Sequence, residues 1–574
     1  MGAVSRILPL VILTAALVLT GRLLPGPERE SAAPAGTEAA AQREEEAGKR
    51  AANGKEKDGT KEPPADGEKK NRAGEASADG KEKDGGREPS ADGEKKNGAG
   101  EASADGKEKD GMKEAPAGGR EKNGTGIQEQ PGTEDGREAG PAPGTELQTE
   151  AAGNDPPVLF LATDLHYQSP QLTDFRSALD LLIRGNDGTL TLCLEALTEA
   201  FLEEIIAERP DALILSGDLS QNGEKENHLA LAKKLQRVQE RGIPVLVIPG
   251  NHDIGHPGPS TYYDDRIERT AGTDAKEFLE IYHAFGYDGA SSRDPESLSY
   301  LYRLRETYWI MMLDSCIYEP VHSTGGRIRE GTLSWMREQL ALAQEAGATV
   351  VPVSHHNLLD ESTLYPEECT LENAGEVTAL LEEFGVPVYF SGHLHLQRTK
   401  KHVSGPAAGE DSYGIWEIVG SPVSISPCQY GIATWGKDGS FSYRTKAVDV
   451  ESWAARYGEE DERLLHFREW SEEFLLENMA YRVFYGIEGI PEERRREMAL
   501  FYARLYRDYC AGSRVSVAEI RKDPLYQYWI RYSGTGVWGD NLKAILADLG
   551  RDHTVLTLPA GEGIMRPQTA GRRE

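Results

Sequence analysis

Five short apolar runs constrain this chain more than any other feature. VLFLAT leads into Asp164-Leu165-His166, DALILS into Gly217-Asp218, and PVLVIP into Gly250-Asn251-His252-Asp253. TVVPVS leads into His355-His356-Asn357, and PVYFS into Gly392-His393-Leu394-His395. Each run is rich in β-branched residues and lacks polar alternation, the pattern of strands buried on both faces. Helical patterns over 190–209, 226–241, 332–346 and 376–384 lie between them. Such alternation predicts layered α/β packing, in which ligands sit beyond the carboxyl ends of the strands. Five strand ends then deliver Asp, His and Asn side chains to one place.

Those side chains offer oxygen and nitrogen donors of intermediate softness, suited to Mn, Fe or Zn. Six to eight of them over-supply one ion and suit two. A carboxylate shared by two cations about 3.5–4 Å apart lets them clamp the attacking and leaving oxygens of a phosphoryl group. The same cations lower the pKa of a bound water, which provides a nucleophile near neutral pH.

In this order and at strand ends, D-x-H, G-D, G-N-H-D, H-H-x and G-H-x-H resemble the calcineurin-like metallophosphoesterase superfamily over residues 157–445. The resemblance implies a four-layer αββα sandwich. It implies one divalent ion on Asp164, His166, Asp218 and His395, and a second on Asp218, Asn251, His355 and His393, with Asp218 shared. His252 matches the histidine that contacts phosphoryl oxygens and protonates the leaving group. Asp253 is grouped with it as catalytic, as the residue that fixes their common loop. His355 rather than His356 is taken as the ligand, because the family pattern reads H-x-P or H-H-P; Asn357 stands where that pattern has proline.

Within the superfamily, GDLSQNGEKENH is similar to bacterial class III cyclic nucleotide phosphodiesterases, most of all the exported Gram-positive type with a helical C-terminal extension. Gln221 occupies the position where purple acid phosphatases carry an iron-binding Tyr. The resemblance implies hydrolysis of phosphodiesters, foremost 2′,3′- or 3′,5′-cyclic nucleotides, by a hydroxide shared between the two ions. A phosphatase for monoesters or pyrophosphate-linked envelope precursors is the second reading, and a non-catalytic envelope scaffold the third. His256, His283, His322, His402, His466 and His553 lack ligand spacing and are assigned to surface or ordinary packing. His228 is read as facing the site or as a surface or capping residue.

Downstream, Leu464, Phe467, Trp470, Phe474, Leu475, Met479 and Val483 recur at helical spacing. Phe501, Leu505 and Tyr509 form a second stripe, and 540–549 a last helix. These stripes read as core; the other reading is a substrate-entrance lid carrying Tyr526, Tyr528 and Trp529.

The N-terminal part cannot build a core. Residues 27–156 hold 31 acidic and 21 basic side chains and no aromatic, and GKEKDG recurs at Gly54, Gly80 and Gly106. That composition predicts a disordered tether. Ahead of it, Arg6 and the apolar run 7–21 predict a signal peptide or signal anchor, and hence export, either secreted or held at the outer face of the membrane. The formal net charge of −31 argues against a sequence-independent grip on nucleic-acid duplexes. A small phosphate ester, with nucleotides the leading class, is the expected partner. Five scattered cysteines without CxxC spacing argue against a thiolate zinc site and leave one disulfide open. The expected boundaries are 1–26, 27–156, 157–447 for the phosphoesterase domain, 448–558 for the helical domain and 559–574 for a flexible tail.

Overall fold

The computed structural model describes residues 155–566, apart from 361, 363, 365–367, 404–413 and 533–535. The N-terminal apolar run, the repeat tether and residues 567–574 lie outside the described residues. Among those described, no helix is long and apolar enough to cross a membrane.

The apolar runs become strands. Along the chain these are β1 (Val158–Ala162), β2 (Ala212–Leu215) and β3 (Val245–Val247), then a hairpin of β4 (Ser260–Tyr263) and β5 (Arg266–Arg269). There follow β6 (Ser292–Arg293), β7 (Tyr300–Arg303), β8 (Tyr308–Leu313), β9 (Thr349–Ser354), β10 (Val388–Ser391), β11 (Arg398–His402) and β12 (Ile415–Val419). The last are β13 (Gln429–Trp435), β14 (Phe441–Ala447) and β15 (Val555–Leu558). One sheet runs β15-β14-β13-β1-β2-β3 and the other β11-β12-β10-β9-β8-β7-β6. β1, β2 and β3 are parallel, with Leu159 opposite Ala212 and Leu213 opposite Val245. β8, β9, β10 and β12 are parallel in the second sheet.

The sheets pack face to face. Phe390 meets Phe441 and Tyr443 with ring centroids 6.4 and 6.2 Å apart, and Tyr308 meets Trp435 at 5.6 Å. Helices Leu194–Glu208 and Lys225–Gln239 cover the outer face of the first sheet through Leu197, Phe201, Leu231 and Leu235, all buried. Helices Glu330–Glu345 and Ala374–Glu383 cover the second through Trp335, Leu340, Val377 and Leu381. Strands covered on both faces need no polar alternation, which explains the unbroken apolar runs. The expected αββα sandwich is therefore the observed architecture. Because β1, β2, β3, β9 and β10 all run parallel in their sheets, their carboxyl ends share one edge.

The helical extension builds a second core, which it shares with Leu394, Leu396, Val419 and Ile425 of the preceding domain. Leu475, Met479 and Val483 of helix Phe467–Gly486 pack with Met498 and Tyr502 of Glu492–Ala511 and with Trp538 of Gly536–Asp548. Trp529 is buried in that core, its indole N–H donating to the Met498 carbonyl at 3.2 Å. This stripe is core, and Trp529 forms no lid.

Two expectations at the C-terminus are corrected. Residues 555–558, assigned to the helical domain, return to the first sheet as β15, an edge strand beside β14. Alternate burial of Leu556 and Leu558 is the reason. Residues 559–566, expected as flexible tail, are also packed: the Trp435 indole donates to the Gly563 carbonyl at 2.7 Å, and Met565 lies against the second sheet's outer core. All five cysteines are buried and free, so no disulfide forms.

Candidate active site

The loops after β1, β2, β3, β9 and β10 bring together every metal ligand expected from the sequence. One ligand atom each from Asp164, His166, Asp218 and His395 lies within 4.8 Å of the others, and so do those of Asp218, His355 and His393. Asp218 alone belongs to both groups. Asn251 joins the second, its Oδ1 3.1 Å from His355 Nε2. The loops reach this geometry through unusual backbone. Asp164, His166, Asp218, His393 and His395 have φ of 52°, 44°, 48°, 67° and 55°. Left-handed conformations are uncommon outside glycine and concentrate at functional sites. Gly250 is required for a different reason: a Cβ there would sit 2.2 Å from both the backbone N and Oδ1 of Asp218.

The donor chemistry fits divalent cations. Asp164 Oδ1 is buried, accepts no hydrogen bond, and lies 3.3 Å from His395 Nε2. His166 Nε2 and His395 Nε2 face each other at 3.0 Å. His355 Nδ1 donates to the Ser216 carbonyl at 2.9 Å, which aims its Nε2 at Asn251 Oδ1, 3.1 Å away, and at Asp218 Oδ2, 3.3 Å away. Carboxylate, amide and imidazole donors converging on a buried point are the arrangement a cation satisfies. The charges are tuned against each other. Burial pulls the His355 imidazole down, but the neighbouring Asp218 carboxylate outweighs it and carries the pKa up to about 9, so the pair favours a positive charge at the point where a cation would replace the proton. Burial takes His166 down to about 4 and His393 well below its ordinary value, so both are free bases at neutral pH.

His356 is excluded as a ligand by its partners. Its Nδ1 lies 2.8 Å from Ser315 Oγ and its Nε2 3.0 Å from the Thr324 carbonyl. Asn357, at the position of the pattern's proline, donates to Ser391 Oγ at 3.0 Å and the Gly392 carbonyl at 2.9 Å. It thus ties the His355 loop to the His393 loop.

His252 sits beside this centre. Its backbone N–H donates to Asp218 Oδ1 at 2.8 Å. Its Nδ1 donates towards the Gln221 carbonyl and Asn222 Oδ1, at 2.9 and 3.1 Å, which leaves Nε2 for the cavity the ring lines. Asp253 takes the loop-fixing place expected of it, and not one among the catalytic groups that touch substrate. Its buried carboxylate accepts from Ser220 N–H and Oγ (2.9 Å each), Leu219 N–H (3.0 Å) and Gly250 N–H (2.8 Å). It staples two ligand loops together and presents no free atom to substrate, so it is a positioning residue. His228 is neither a surface nor a capping residue. It is wholly buried behind that staple, its Nε2 3.1 Å from Ser220 Oγ and its Nδ1 3.1 Å from Tyr282 Oη.

Three further residues enter the site without a signal in the sequence. His256 stacks on His252 with ring centroids 5.0 Å apart and planes 18° apart. His322 Nε2 lies 2.7 Å from the Asn251 carbonyl. Both differ from the surface or ordinary packing that their sequence context implies. Asp187, buried, receives the His395 Nδ1–H and so orients that ligand. Burial would raise the Asp187 pKa, but His395 holds it below its ordinary value. A carboxylate behind a ligating imidazole typically contributes 10–100-fold in metal affinity. Asp187→Asn should therefore weaken metal binding by about that factor, measured by competition with a chromophoric chelator, while far-ultraviolet circular dichroism stays unchanged.

The helical extension supports the Asp187 loop. Arg482 donates to the Asn186 carbonyl at 3.3 Å and Asn478 to the Ile183 carbonyl at 3.2 Å. Over the centre opens a cavity of about 380 Å³, floored by His166, His252 and His395. One wall is helix Ser177–Gly185 and the other the β4–β5 hairpin.

Residues 158–397 match the family described as calcineurin-like phosphoesterase. They form a calcineurin-like phosphoesterase domain. Residues 449–552 match the C-terminal domain of cyclic nucleotide phosphodiesterase. Among similar proteins, a probable cyclic nucleotide phosphodiesterase of Psychrobacter arcticus is 26% identical over 207 residues, covering 36% of this chain and 64% of that protein. The glycerophosphodiester phosphodiesterase GpdQ of Enterobacter lignolyticus is 27% identical over 191 residues, covering 33% of this chain and 58% of that protein. The chain thus spans less than two thirds of the length of these relatives. A dimetal phosphatase from Danio rerio aligns over 51% of this chain and 97% of its own, with 15% identity and a TM-score of 0.36.

Proposed function

We propose that the protein is a phosphodiesterase holding two divalent ions, Mn, Fe or Zn, and that cyclic nucleotides are its leading substrate class. One observation carries this reading: Asp218 is common to two buried donor groups, and the loop beside it presents His252. Asp164, His166, Asp218 and His395 would hold one ion, and Asp218, Asn251, His355 and His393 the other. Bound there, the ions would supply Lewis-acid polarisation of the phosphoryl oxygens and a water of lowered pKa.

The chain's own residues do the rest. Asp187, Ser216 and Asp253 fix the orientation of the ligand loops. Gln221 and Asn222 hold His252 so that Nε2 faces the cavity, where it delivers a proton to the departing ester oxygen. The names of the two relatives, one for cyclic nucleotides and one for glycerophosphodiesters, support diester over monoester cleavage. The match of 449–552 to a cyclic nucleotide phosphodiesterase C-terminal domain favours the former. The apolar run 7–21 supports export, with the tether holding the enzyme at or beyond the membrane surface.

The test is a metal-reconstituted panel of 2′,3′-cyclic nucleotides, 3′,5′-cyclic nucleotides and nucleoside monophosphates. The cyclic diesters should be turned over at least about 10-fold faster than the monoesters, the margin at which a lost specific contact becomes visible. Equal or greater monoester turnover would favour the phosphatase reading.

A further inference from the structure

The cavity over the centre has a composition that a glycerol-sized substrate does not explain. Its floor is the catalytic edge, with His252 among the lining residues. An alcohol leaving beside His252 must therefore remain, with its substituents, inside this space. The walls are mainly apolar: Leu181 and Leu182 from helix Ser177–Gly185, and Tyr262 and Ile267 from the hairpin. Leu181 and Ile267 are 53% and 38% exposed, so apolar surface is left at the mouth. Arg269 is the one Lys or Arg side chain in the lining, and its guanidinium donates to the Pro257 carbonyl.

The hairpin buries one strand and exposes the other: Ser260 and Tyr262 of β4 are buried, Tyr262 against Ala178, Leu179 and Ile183. All four residues of β5 are exposed. A two-stranded ribbon is marginal alone, and this one is held by the Arg176–Asp264 ion pair at 2.8 Å and a bridge from Thr173 to Tyr262. β5 thus contributes a wall to the cavity and little to the core.

We propose that this cavity is the specificity subsite, and that it takes a nucleoside-sized group with a flat face in preference to a small polyol. Leu181, Leu182, Tyr262 and Ile267 contact the base, and Arg269 offers a planar cation to its face or edge. A mostly apolar pocket with a few placed polar groups is the usual form of a site for such a ligand. A glycerol moiety, with an oxygen on every carbon and no flat apolar face, would leave the apolar walls against water. The inference rests on the phosphodiesterase reading and deepens it.

The test uses the full, metal-loaded chain and two cyclic diesters that share the reacting group. Adenosine 2′,3′-cyclic phosphate carries the base; glycerol 1,2-cyclic phosphate does not. The variants are Leu181→Ser combined with Ile267→Ser, and separately Arg269→Ala, all at exposed positions. Each should lower the ratio of kcat/KM for the adenosine compound to that for the glycerol compound by about 10-fold or more. A ratio unchanged within about twofold in both overturns the proposal. Adenosine binding by saturation-transfer NMR is the second readout. Wild type should bind and the double variant should bind at least about 10-fold more weakly; no binding by wild type overturns the subsite. If wild type cleaves neither diester yet binds adenosine through Leu181 and Ile267, the phosphodiesterase reading fails and the subsite stands.

Discussion

His252→Ala is expected to retain its metal ions and lose about 10²–10⁴-fold in kcat, the usual contribution of a positioned general acid. The structure separates these two properties. The backbone N–H of residue 252 donates to Asp218, and alanine keeps that bond. What disappears is the imidazole, held through Nδ1 by the Gln221 carbonyl and Asn222 Oδ1. The loss should be largest for alkoxide leaving groups, which need a proton, and smaller for p-nitrophenolate, which does not. Measuring kcat for a cyclic nucleotide and for bis-p-nitrophenyl phosphate checks this. Equal losses on both, or near-normal turnover of the nucleotide, would remove His252 from the acid role.

Asp218→Asn should have a larger effect, on metal as well as on rate. Oδ2 of Asp218 lies 3.8 Å from His166 Nε2 and 3.3 Å from His355 Nε2, so one oxygen serves both donor groups. Burial opposes its ionisation, yet His355 and His252 hold its pKa well below the ordinary carboxylate value. An amide of the same shape can still accept from the His252 N–H but brings no charge. Affinity at both positions should fall by more than the roughly 10–100-fold of a lost supporting partner, and turnover with it. Elemental analysis of the variant beside a kinetic assay checks both. Full metal content in Asp218→Asn would contradict a shared carboxylate.

Much of the sandwich was legible because its central strands are short, apolar and each followed by a ligand. Strand burial on both faces writes a continuous run into the sequence, and Gly217, Gly250 and Gly392 mark where three of the five runs turn. The donors of Asp164, His166, Asp218, Asn251, His355, His393 and His395 were readable for the same reason. Asp187 was not. It acts on a histidine 208 positions away, through a contact that only the tertiary fold creates. His256 and His322 follow no periodicity, since they sit in irregular segments whose direction the sequence does not fix. Residues 555–558 were hidden by their neighbours. A four-residue strand after a helical region leaves only two alternations, Leu556 and Leu558, and β14 supplies the edge that selects it. His228 was misplaced because burial of a helix's first turn depends on what covers it, here the Ser220–Asp253 staple and Tyr282.

The central claim is that seven side chains from five strand ends hold a pair of cations around one carboxylate. Elemental analysis of the wild-type chain, saturated with Mn²⁺ or Zn²⁺ and freed of unbound ion by gel filtration, tests it most directly. Two ions per chain is the expected stoichiometry, and one or none at saturation would contradict the account.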